Sequence, residues 1–331
     1  MTSYQMKNKL VLVLLFITLH PMNLYAFEIS MPIDCKIGEN CFIQNYVDMS
    51  EGKKRSDYKC GILSYDKHKG TDFAISTKDE FNVLAAARGK VIGTRNNMQD
   101  INYKLREENK VKNIECGNGL LLKHEDGWET QYCHMKQGSI SVKTGQVVNK
   151  GDVIGKVGLS GFTEFKHLHL SVRKDGKSID PFSSEILESG CNDNNVNYKN
   201  IWDSNTAKSL QYTKTSIVDF GINDTLPLSE LNARNGDYNN IRFNNKTKVM
   251  LFWLDTILPK YGDIIKVKVT YPSGRIRDLN VKNDKNYVRR FQYFGIKKTT
   301  PKWSQGTYKI NYLIKRNDKI IAERKMDIEI L

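Results

Sequence analysis

Two histidines that lie two residues apart, His167 and His169, are the side chains of this chain best suited to chemistry. Their surroundings, His-Leu-His-Leu-Ser-Val-Arg, predict a strand, and residues two apart on a strand point to the same face. Both imidazoles therefore lie opposite the intervening leucines. A histidine pair on one face of a buried strand indicates a metal site, and the chain offers further ligands at His68 and Asp72.

Two shorter motifs accompany the pair. His68-Lys-Gly-Thr-Asp72 places an imidazole and a carboxylate four residues apart across a glycine turn that opens a strand, and Tyr132-Cys-His134 ends a predicted hairpin arm. Each motif alone has an ordinary explanation, because a lone histidine is most often a hydrogen-bonded surface or half-buried residue. The motifs indicate a functional site only when they are taken together.

In chain order these motifs resemble those of the lysostaphin- and LytM-type zinc metallopeptidases, peptidase family M23. The family pattern is His-x-x-x-Asp, then Tyr-x-His, then His-Leu-His on a late strand, and this chain fills every position. The glycine-rich residues 145–155 and 158–161 are also similar to the family. The resemblance covers about residues 60–181 and leaves the C-terminal part uncovered.

The resemblance implies a zinc site and a division of roles within it. It implies that His68, Asp72 and His169 bind Zn²⁺, which lowers the pKa of a bound water towards about 7. It implies that His167 helps to activate the water and that His134 stabilises the developing oxyanion. Histidine suits either role because its pKa lies near neutral pH. Which of the two is the general base stays open.

Three nearby residues have other expected roles. Tyr132 can orient a ligand or line the substrate groove, or it can simply pack in the strand. Cys133 alternates away from Tyr132 and His134, so we expect it to pair or pack. His124 is outside the family pattern, and we expect a structural or surface residue there.

Short strands must position these residues. Residues 83–92 and 142–157 place valine and isoleucine between glycine turns, and residues 120–124 and 128–135 flank an Asp-Gly turn. This spacing of short apolar runs and turns predicts a mainly β chain with a compact barrel or sandwich. The family resemblance implies the lipoyl-like duplicated hybrid motif for it.

The C-terminal part is again strand-like. Residues 264–271 alternate before a Pro-Ser-Gly turn, and residues 308–314 and 320–330 flank an Asn-Asp turn. The spacing predicts an immunoglobulin-like β-sandwich, although the cysteine pair of true immunoglobulin domains is missing. We expect it to target the cell wall or a partner, with a purely structural appendage as the alternative.

The beginning of the chain predicts export. Lys7 and Lys9 precede an apolar run and a small-residue cleavage site at Ala26, which is typical of a secretory signal peptide. No later stretch is apolar enough to span a membrane. We therefore expect a periplasmic protein, with full secretion as the alternative.

The cysteines predict disulfides. All six lie between residues 35 and 191, and an even number in an exported chain favours pairing over reactive thiols. Cys35 with Cys41 is the easiest local pair among 15 possible pairings.

Five segments follow from these patterns. They are a signal peptide (1–26), a cysteine-containing segment (27–58), the zinc peptidase domain (59–185), a linker (186–206) and the accessory sandwich (207–331). Cys191 is expected to tie the linker back to the first domain. The segment 27–58 is a candidate for a cover over the active-site groove.

The chain is strongly basic. Its formal charge is +14, and removal of the signal peptide, with two lysines and no acid, leaves +12. A basic exported protein suits an anionic partner such as the cell wall, whereas nucleic acid is disfavoured outside the cytoplasm. A lysine-rich surface arising from compositional bias explains the charge equally well.

The leading hypothesis is a monomeric zinc endopeptidase that hydrolyses peptidoglycan stem or cross-link peptides. A non-catalytic wall-binding or amidase-activating module of the same fold is the alternative, although all predicted ligands and accessory histidines survive. A papain-like cysteine peptidase using Cys60, Cys116 or Cys133 is a third hypothesis, which the expected disulfides oppose.

Overall fold

The computed structural model describes residues 26–106, 111–191 and 199–330. The predicted signal peptide therefore lies outside the described residues except for Ala26. No helix among the described residues is long and apolar enough to cross a membrane. The chain is mainly β, as predicted, and its strands group into an N-terminal and a C-terminal domain.

The N-terminal domain contains ten strands and one short 3₁₀ turn at Tyr103–Leu105. The strands are β1 (Cys41–Asn45), β2 (Thr71–Ile75), β3 (Asn82–Leu84), β4 (Gly89–Arg95), β5 (Asn118–Lys123), β6 (Trp128–Met135), β7 (Val147–Val148), β8 (Val153–Lys156), β9 (His167–Lys174) and β10 (Lys177–Ile179).

Eight of these strands form one open sheet in the order β1-β2-β9-β6-β5-β4-β7, with β10 paired to β9. The end strands β1 and β7 do not pair among the described residues, so the domain is not the closed barrel that was one of the two predicted forms. The remaining strands, β3 and β8, form a small second sheet that shares its core. Together with apolar residues of the connecting segments, such as Ile29, Leu63 and Trp202, this second layer covers the buried face of the large sheet.

Strand β9 shows how the sequence divides the two faces of the large sheet. Leu168, Leu170 and Val172 are fully buried in the domain core. The alternate residues, which include both histidines, point to the opposite face. The apolar half of the pattern therefore holds the strand in the core while the polar half is free to form a site.

Both segments that flank the predicted peptidase domain join its core. Strand β1, within the segment 27–58, pairs antiparallel with β2, and Ile43 and Tyr46 are buried in the common core. Ile201 and Trp202, from the predicted linker, are buried in the same core. The structure thus gives 27–58 a supporting position at the sheet edge, whereas the exact domain boundaries stay predictions.

All six cysteines are paired, in disulfides Cys35–Cys41, Cys60–Cys191 and Cys116–Cys133. The first is the predicted local pair, and the second ties the end of the domain to its beginning, as expected. No cysteine is left as a thiol, which excludes a cysteine nucleophile in this disulfide-bonded form.

Helix α1 (Ser204–Ser209) lies between the two domains and packs on the N-terminal core, where its Ala207 and the following Leu210 are placed. Among the described residues, the C-terminal domain contains one short helix and seven strands. These elements are β11 (Ser216–Asn223), α2 (Glu230–Asn235), β12 (Val249–Ile257), β13 (Ile264–Thr270), β14 (Ile276–Lys282), β15 (Arg289–Lys297), β16 (Gly306–Arg316) and β17 (Lys319–Ile330). Helix α1 precedes the seven strands, and Asp203 caps it by accepting a hydrogen bond from the Thr206 N–H.

The seven strands form the predicted immunoglobulin-like sandwich. One antiparallel sheet has the order β11-β12-β15 and the other β14-β13-β16-β17. Alternate residues of the two sheets bury a common core that includes Phe252, Val267 and Tyr312. The predicted turns join β13 to β14 and β16 to β17.

The two domains contact each other through a small apolar cluster and a buried carboxylate. Phe42 and Ala74 of the first domain pack with Val218 and Ile257 of the second. Asp219 accepts hydrogen bonds from the Ser76 hydroxyl at 2.7 Å and from the Thr77 N–H at 2.9 Å. These contacts hold the outer face of the three-stranded sheet against the N-terminal domain.

Asp180 is a buried acid whose ionisation opposes folding. One carboxylate oxygen accepts hydrogen bonds from the N–H and hydroxyl of Ser183, and the other has no hydrogen-bond partner among the described residues. Burial raises the pKa of Asp180 to about 7, and the hydrogen bonds from Ser183 only partly oppose this. The neutral carboxyl is therefore the form that the folded chain prefers.

Because the folded pKa of Asp180 is raised, its stabilising contribution is complete below about pH 4 and is lost as the pH rises through about 7. We expect the free energy of unfolding of the wild type to fall between pH 5 and pH 8 relative to Asp180→Asn. Each unit of pKa difference corresponds to about 1.4 kcal/mol. Urea unfolding at both pH values measures this, with the exposed Asp66→Asn as control. The same change in the free energy of unfolding between pH 5 and pH 8 in the wild type and in Asp180→Asn would contradict this prediction.

Candidate metal centre

The register of two neighbouring strands brings three predicted ligands together. Asp72 of β2 lies directly opposite His169 of β9, and His68 lies in the turn that precedes β2. The Asp72 Oδ1 atom is 2.7 Å from His169 Nδ1 and 3.2 Å from His68 Nε2. The two imidazole nitrogens are 3.2 Å apart.

This donor set fits a zinc ion. Zinc takes imidazole nitrogen and carboxylate oxygen in a tetrahedral arrangement at about 2.0–2.2 Å, which separates neighbouring donors by about 3.3 Å. The three observed separations lie near that value or just below it. A small outward movement of the donors is all that is needed for an ion to fit between them.

Each ligand is oriented by a second group on its outer side. His68 Nδ1 lies 2.7 Å from the Tyr46 carbonyl oxygen, to which only an N–H can donate, so its Nε2 lone pair faces inward. His169 Nε2 lies 2.9 Å from the Ser171 hydroxyl, and Asn45 donates its amide N–H to the outer oxygen of Asp72. Such outer contacts fix the tautomer and direction of metal ligands.

The two accessory histidines are held in the same way. His167 Nδ1 is 2.9 Å from the Phe165 carbonyl and 3.1 Å from the Thr163 hydroxyl, and its Nε2 is 3.4 Å from Asp72 Oδ1. His134 Nδ1 is 2.8 Å from the Ser160 carbonyl. A carbonyl acceptor at Nδ1 leaves Nε2 of each ring available for proton transfer.

The five side chains form two overlapping triads. One ligand atom from each of His68, Asp72 and His169 lies within 4.8 Å of the others, and the same holds for His134, His167 and His169. His169 belongs to both triads. Only the first triad includes a carboxylate, which offsets the charge of a divalent ion, and this favours it as the metal site.

Burial and mutual charge determine the protonation of the cluster. Burial raises the pKa of Asp72, but His68 and His167 outweigh this and hold that pKa well below its usual value. Burial, with the neighbouring imidazoles, lowers the pKa of His134 well below its ordinary value. Burial also lowers the pKa of His169, which favours the neutral form that a metal requires. For His68, the charge of Asp72 outweighs the opposing effect of burial and raises the pKa.

His134 reaches the site by breaking the alternation of its strand. Its φ is +61°, in the left-handed region, and the pairing of β5 with β6 shifts register beside it. Its N–H donates to the Cys116 carbonyl at 2.8 Å, and the disulfide from Cys116 to the adjacent Cys133 closes the same bulge. A β-bulge of this kind redirects one side chain without ending the strand.

The bulge separates Tyr132 from the site. Tyr132 is fully buried in the core, and its hydroxyl accepts hydrogen bonds from the Ala86 N–H and the Thr130 hydroxyl. Tyr132 therefore packs in the strand and does not line a groove. Packing was one of the alternatives that the sequence left open for this residue. His124 contacts Thr130 and the Arg88 carbonyl in the same network, away from the metal centre.

Several residues at the site were missed by the sequence analysis. Asn45 and Ser171 contact ligands, and Thr163 and Phe165 contact His167. Tyr65 is about half exposed, and its ring lies 4.3 Å from that of His68. Of these, only Ser171 had a signal, because it lies two residues after His169 on the same face of the predicted strand.

The fold and the site together define a metallopeptidase domain. Residues 66–181 match peptidase family M23, a stretch that contains all five side chains of the cluster. The chain therefore contains a peptidase family M23 domain, as predicted. The match covers roughly a third of the chain and does not extend to the β-sandwich.

Part of the chain is also similar to curated proteins. It is 30% identical over 119 residues to the peptidoglycan DD-endopeptidase ShyB of Vibrio cholerae, covering 36% of this chain and 23% of ShyB. It is 41% identical over 71 residues to the cell division protein DipM of Caulobacter vibrioides, covering 20% and 11%. The chain thus spans less than a quarter of the length of these relatives.

A solved structure is also similar. The catalytic domain of lysostaphin from Staphylococcus simulans is 26% identical, covering 39% of this chain and 86% of that domain, with a TM-score of 0.27.

Gly70 tests how closely the backbone is fitted around His169. A Cβ atom at this position would lie 2.5 Å from the Leu170 carbonyl oxygen and 2.7 Å from His169 Nε2. We expect Gly70→Ala to displace His169 from Ser171 and to weaken zinc binding at least about tenfold. Competition with a chromogenic chelator measures the affinity. The control is Gly93→Ala, whose new methyl group meets no atom within 4 Å. Wild-type zinc affinity in a folded Gly70→Ala protein would show that this close approach is unimportant.

Proposed function

We propose that this protein is a zinc-dependent endopeptidase that hydrolyses peptide bonds in the stem or cross-link peptides of peptidoglycan. The observation that carries the proposal is the buried cluster of one carboxylate and four imidazoles, each oriented by an outer contact. A cluster used only for stability would not need four imidazoles with one ring nitrogen of each turned inward.

His68, Asp72 and His169 are the residues that would hold the metal. When bound, a zinc ion would polarise the scissile carbonyl and supply a water molecule acidic enough to lose its proton near neutral pH. Asp72 would contribute the negative charge of the site, and Asn45 would keep its carboxylate from rotating.

The remaining two imidazoles would move or stabilise charge. His167 Nε2 faces Asp72 from the side opposite the Phe165 carbonyl, so it can accept a proton from the attacking water and return it to the leaving amine. Because the pKa of His134 is lowered, its ring is neutral in the resting site, and its Nε2 would donate a hydrogen bond to the oxyanion only after taking up a proton of the attacking water. The two rings are 4.7 Å apart, which allows both to contact one substrate carbonyl.

The open face of the sheet offers a place for the substrate peptide. Next to His169, on the same face, lie Ser171 and Gln131, and Arg173 contacts Gln131. A pocket of about 420 Å³ continues from Gln131 to Arg95. Arg95 lines this pocket, and its guanidinium suits a carboxylate of a peptidoglycan stem peptide.

The name of the relative ShyB, a peptidoglycan DD-endopeptidase, supports the same substrate class. The net charge of +12 that remains after removal of the predicted signal peptide suits an anionic cell wall. The proposal includes export to the periplasm, with secretion as the alternative. It also includes a monomeric state.

The division of roles among the histidines is tested by separate substitutions. We expect His169→Ala to lose zinc and activity together, because it removes a ligand. We expect His167→Ala and His134→Ala to retain stoichiometric zinc and to lose activity by at least about a hundredfold, because they remove proton transfer or charge stabilisation. Zinc is measured by elemental analysis, and activity by mass spectrometry of muropeptides released from purified sacculi.

His124→Ala is the matched control, since His124 lies outside the cluster, and it should retain zinc and activity even if its melting temperature falls. If the zinc-loaded wild-type protein releases no muropeptides, the proposed endopeptidase activity is contradicted. That result would favour a wall-binding or amidase-activating module. Loss of zinc in both His167→Ala and His169→Ala would contradict the division of roles.

A further inference from the structure

The loop of residues 158–166, here called the orienting loop, holds both accessory histidines. It supplies the Ser160 carbonyl to His134, and it supplies the Phe165 carbonyl and the Thr163 hydroxyl to His167. The direction of each Nε2 atom therefore depends on where this loop lies.

The C-terminal sandwich contacts this loop next to His167. The guanidinium of Arg289, on β15, lies over the Phe165 ring at 4.3 Å from its centroid. The imidazole of His167 also packs on Phe165, and the two rings lie 4.4 Å apart at an angle of 26°. Phe165 thus joins an arginine of the second domain to a histidine of the first.

Arg289 is held firmly in this position by a buried carboxylate. Asp255, on β12, is fully buried and accepts hydrogen bonds from Arg289 Nε at 3.0 Å and from Arg234 Nε at 2.7 Å. Burial raises the pKa of Asp255, but the two arginines outweigh this and lower it to about 2. Asp255 is therefore ionised at any working pH.

One nitrogen of Arg289 is buried without a conventional partner. Its Nη1 atom makes no hydrogen bond among the described residues. A cation over the face of an aromatic ring is attracted to it, so the Phe165 ring compensates part of the lost hydration. This explains why a buried guanidinium is stable at the domain boundary.

A second contact links the sandwich to the orienting loop. Asn235, which ends α2, accepts a hydrogen bond from the Asn102 N–H at 3.0 Å. The Asn102 side chain in turn donates to the Glu164 carbonyl at 2.7 Å, one residue before Phe165. The loop is therefore fixed to the second domain on two sides.

We propose that Arg289 is a positioning residue for the hydrolytic reaction, and that through Phe165 the β-sandwich domain sets the orientation of His167. This inference rests on the proposed function. It gives the C-terminal domain a role in catalysis that does not depend on cell-wall targeting.

The physical reason is the sensitivity of proton transfer to geometry. A displacement of about 1 Å in a catalytic group can cost about a hundredfold in rate. Without the guanidinium, one face of the Phe165 ring loses its contact, and the ring and its carbonyl are free to shift. The metal ligands, which are oriented by Tyr46, Asn45 and Ser171, do not depend on this contact.

The experiment compares Arg289→Met, Arg289→Lys and Phe165→Leu in the full-length, zinc-loaded protein. Steady-state kcat and KM are measured on a soluble cross-linked muropeptide dimer. We expect Arg289→Met and Phe165→Leu to lower kcat at least about tenfold, with KM within about twofold and stoichiometric zinc. Arg289→Lys, which keeps a cation over the ring, should recover a substantial part of kcat.

Arg290→Met is the matched control. Arg290 is the next residue of β15 and lies on the opposite face, over the Tyr287 ring and away from the orienting loop. The substitution Arg290→Met removes the same charge from the same strand without touching the orienting loop. We therefore expect kcat within about twofold of the wild type.

Nitrogen-15 NMR of the His167 imidazole gives a readout that does not depend on activity. In the wild type we expect the proton of the neutral ring to be on Nδ1, hydrogen-bonded to Phe165. In Arg289→Met we expect a changed Nδ1 signal, while the signals of the ligands His68 and His169 stay unchanged. This measurement decides the question even if a variant has a lowered melting temperature.

The outcomes separate this inference from the proposed function. An inactive wild type would overturn the proposed function itself, and an active His167→Ala would overturn the catalytic role of His167 on which this inference depends. An active wild type with inactive His167→Ala, but with wild-type kcat and NMR signals in Arg289→Met, would overturn the positioning role alone. If kcat of Arg289→Met falls no further than kcat of the control Arg290→Met, the positioning role is likewise overturned.

Discussion

The carboxylate of Asp72 is the group on which the site depends. It is almost fully buried, and its Oδ1 atom lies within 3.4 Å of nitrogens from three histidines. A buried charge is costly unless it is paired and hydrogen-bonded, so its neighbours have to be in place for the domain to fold around it. The register of β2 on β9 places His169 opposite it, and a slip of one residue would turn the histidines into the core. The open sheet, the glycine turn before β2 and the orienting loop all help to place the histidines around this buried carboxylate.

The two layers of support around the cluster come from different parts of the chain. The proposed metal ligands are oriented from within the N-terminal domain, by Tyr46 and Asn45 at the end of β1 and by Ser171 on β9. His134 and His167 are oriented by the 158–166 loop, which the C-terminal sandwich contacts through Arg289. The proposed metal-binding and proton-transfer groups are thereby supported by separate contacts, so we expect substitutions to affect one without the other.

Local sequence patterns predicted much of this arrangement. The His-x-His spacing on an alternating strand placed both imidazoles on one face, and turn residues located the hairpin of β5 and β6 and the sandwich strands β13, β14, β16 and β17. The sequence left Tyr132 open between a site position and packing in the strand, because the left-handed φ of His134, which ends the alternation of β6, has no local signal. The pairing of β1 with β2 and the contact of Arg289 with Phe165 join residues far apart in the chain, and no local pattern indicates which distant segments will meet.

The central claim is that His68, Asp72 and His169 bind the metal while His134 and His167 do not. Anomalous diffraction at the zinc edge, from crystals of the zinc-loaded protein, tests it most directly because the cluster offers two overlapping triads. The account predicts one anomalous peak within about 2.2 Å of His68 Nε2, an Asp72 oxygen and His169 Nδ1. A peak bonded instead to His134, His167 and His169 would contradict it.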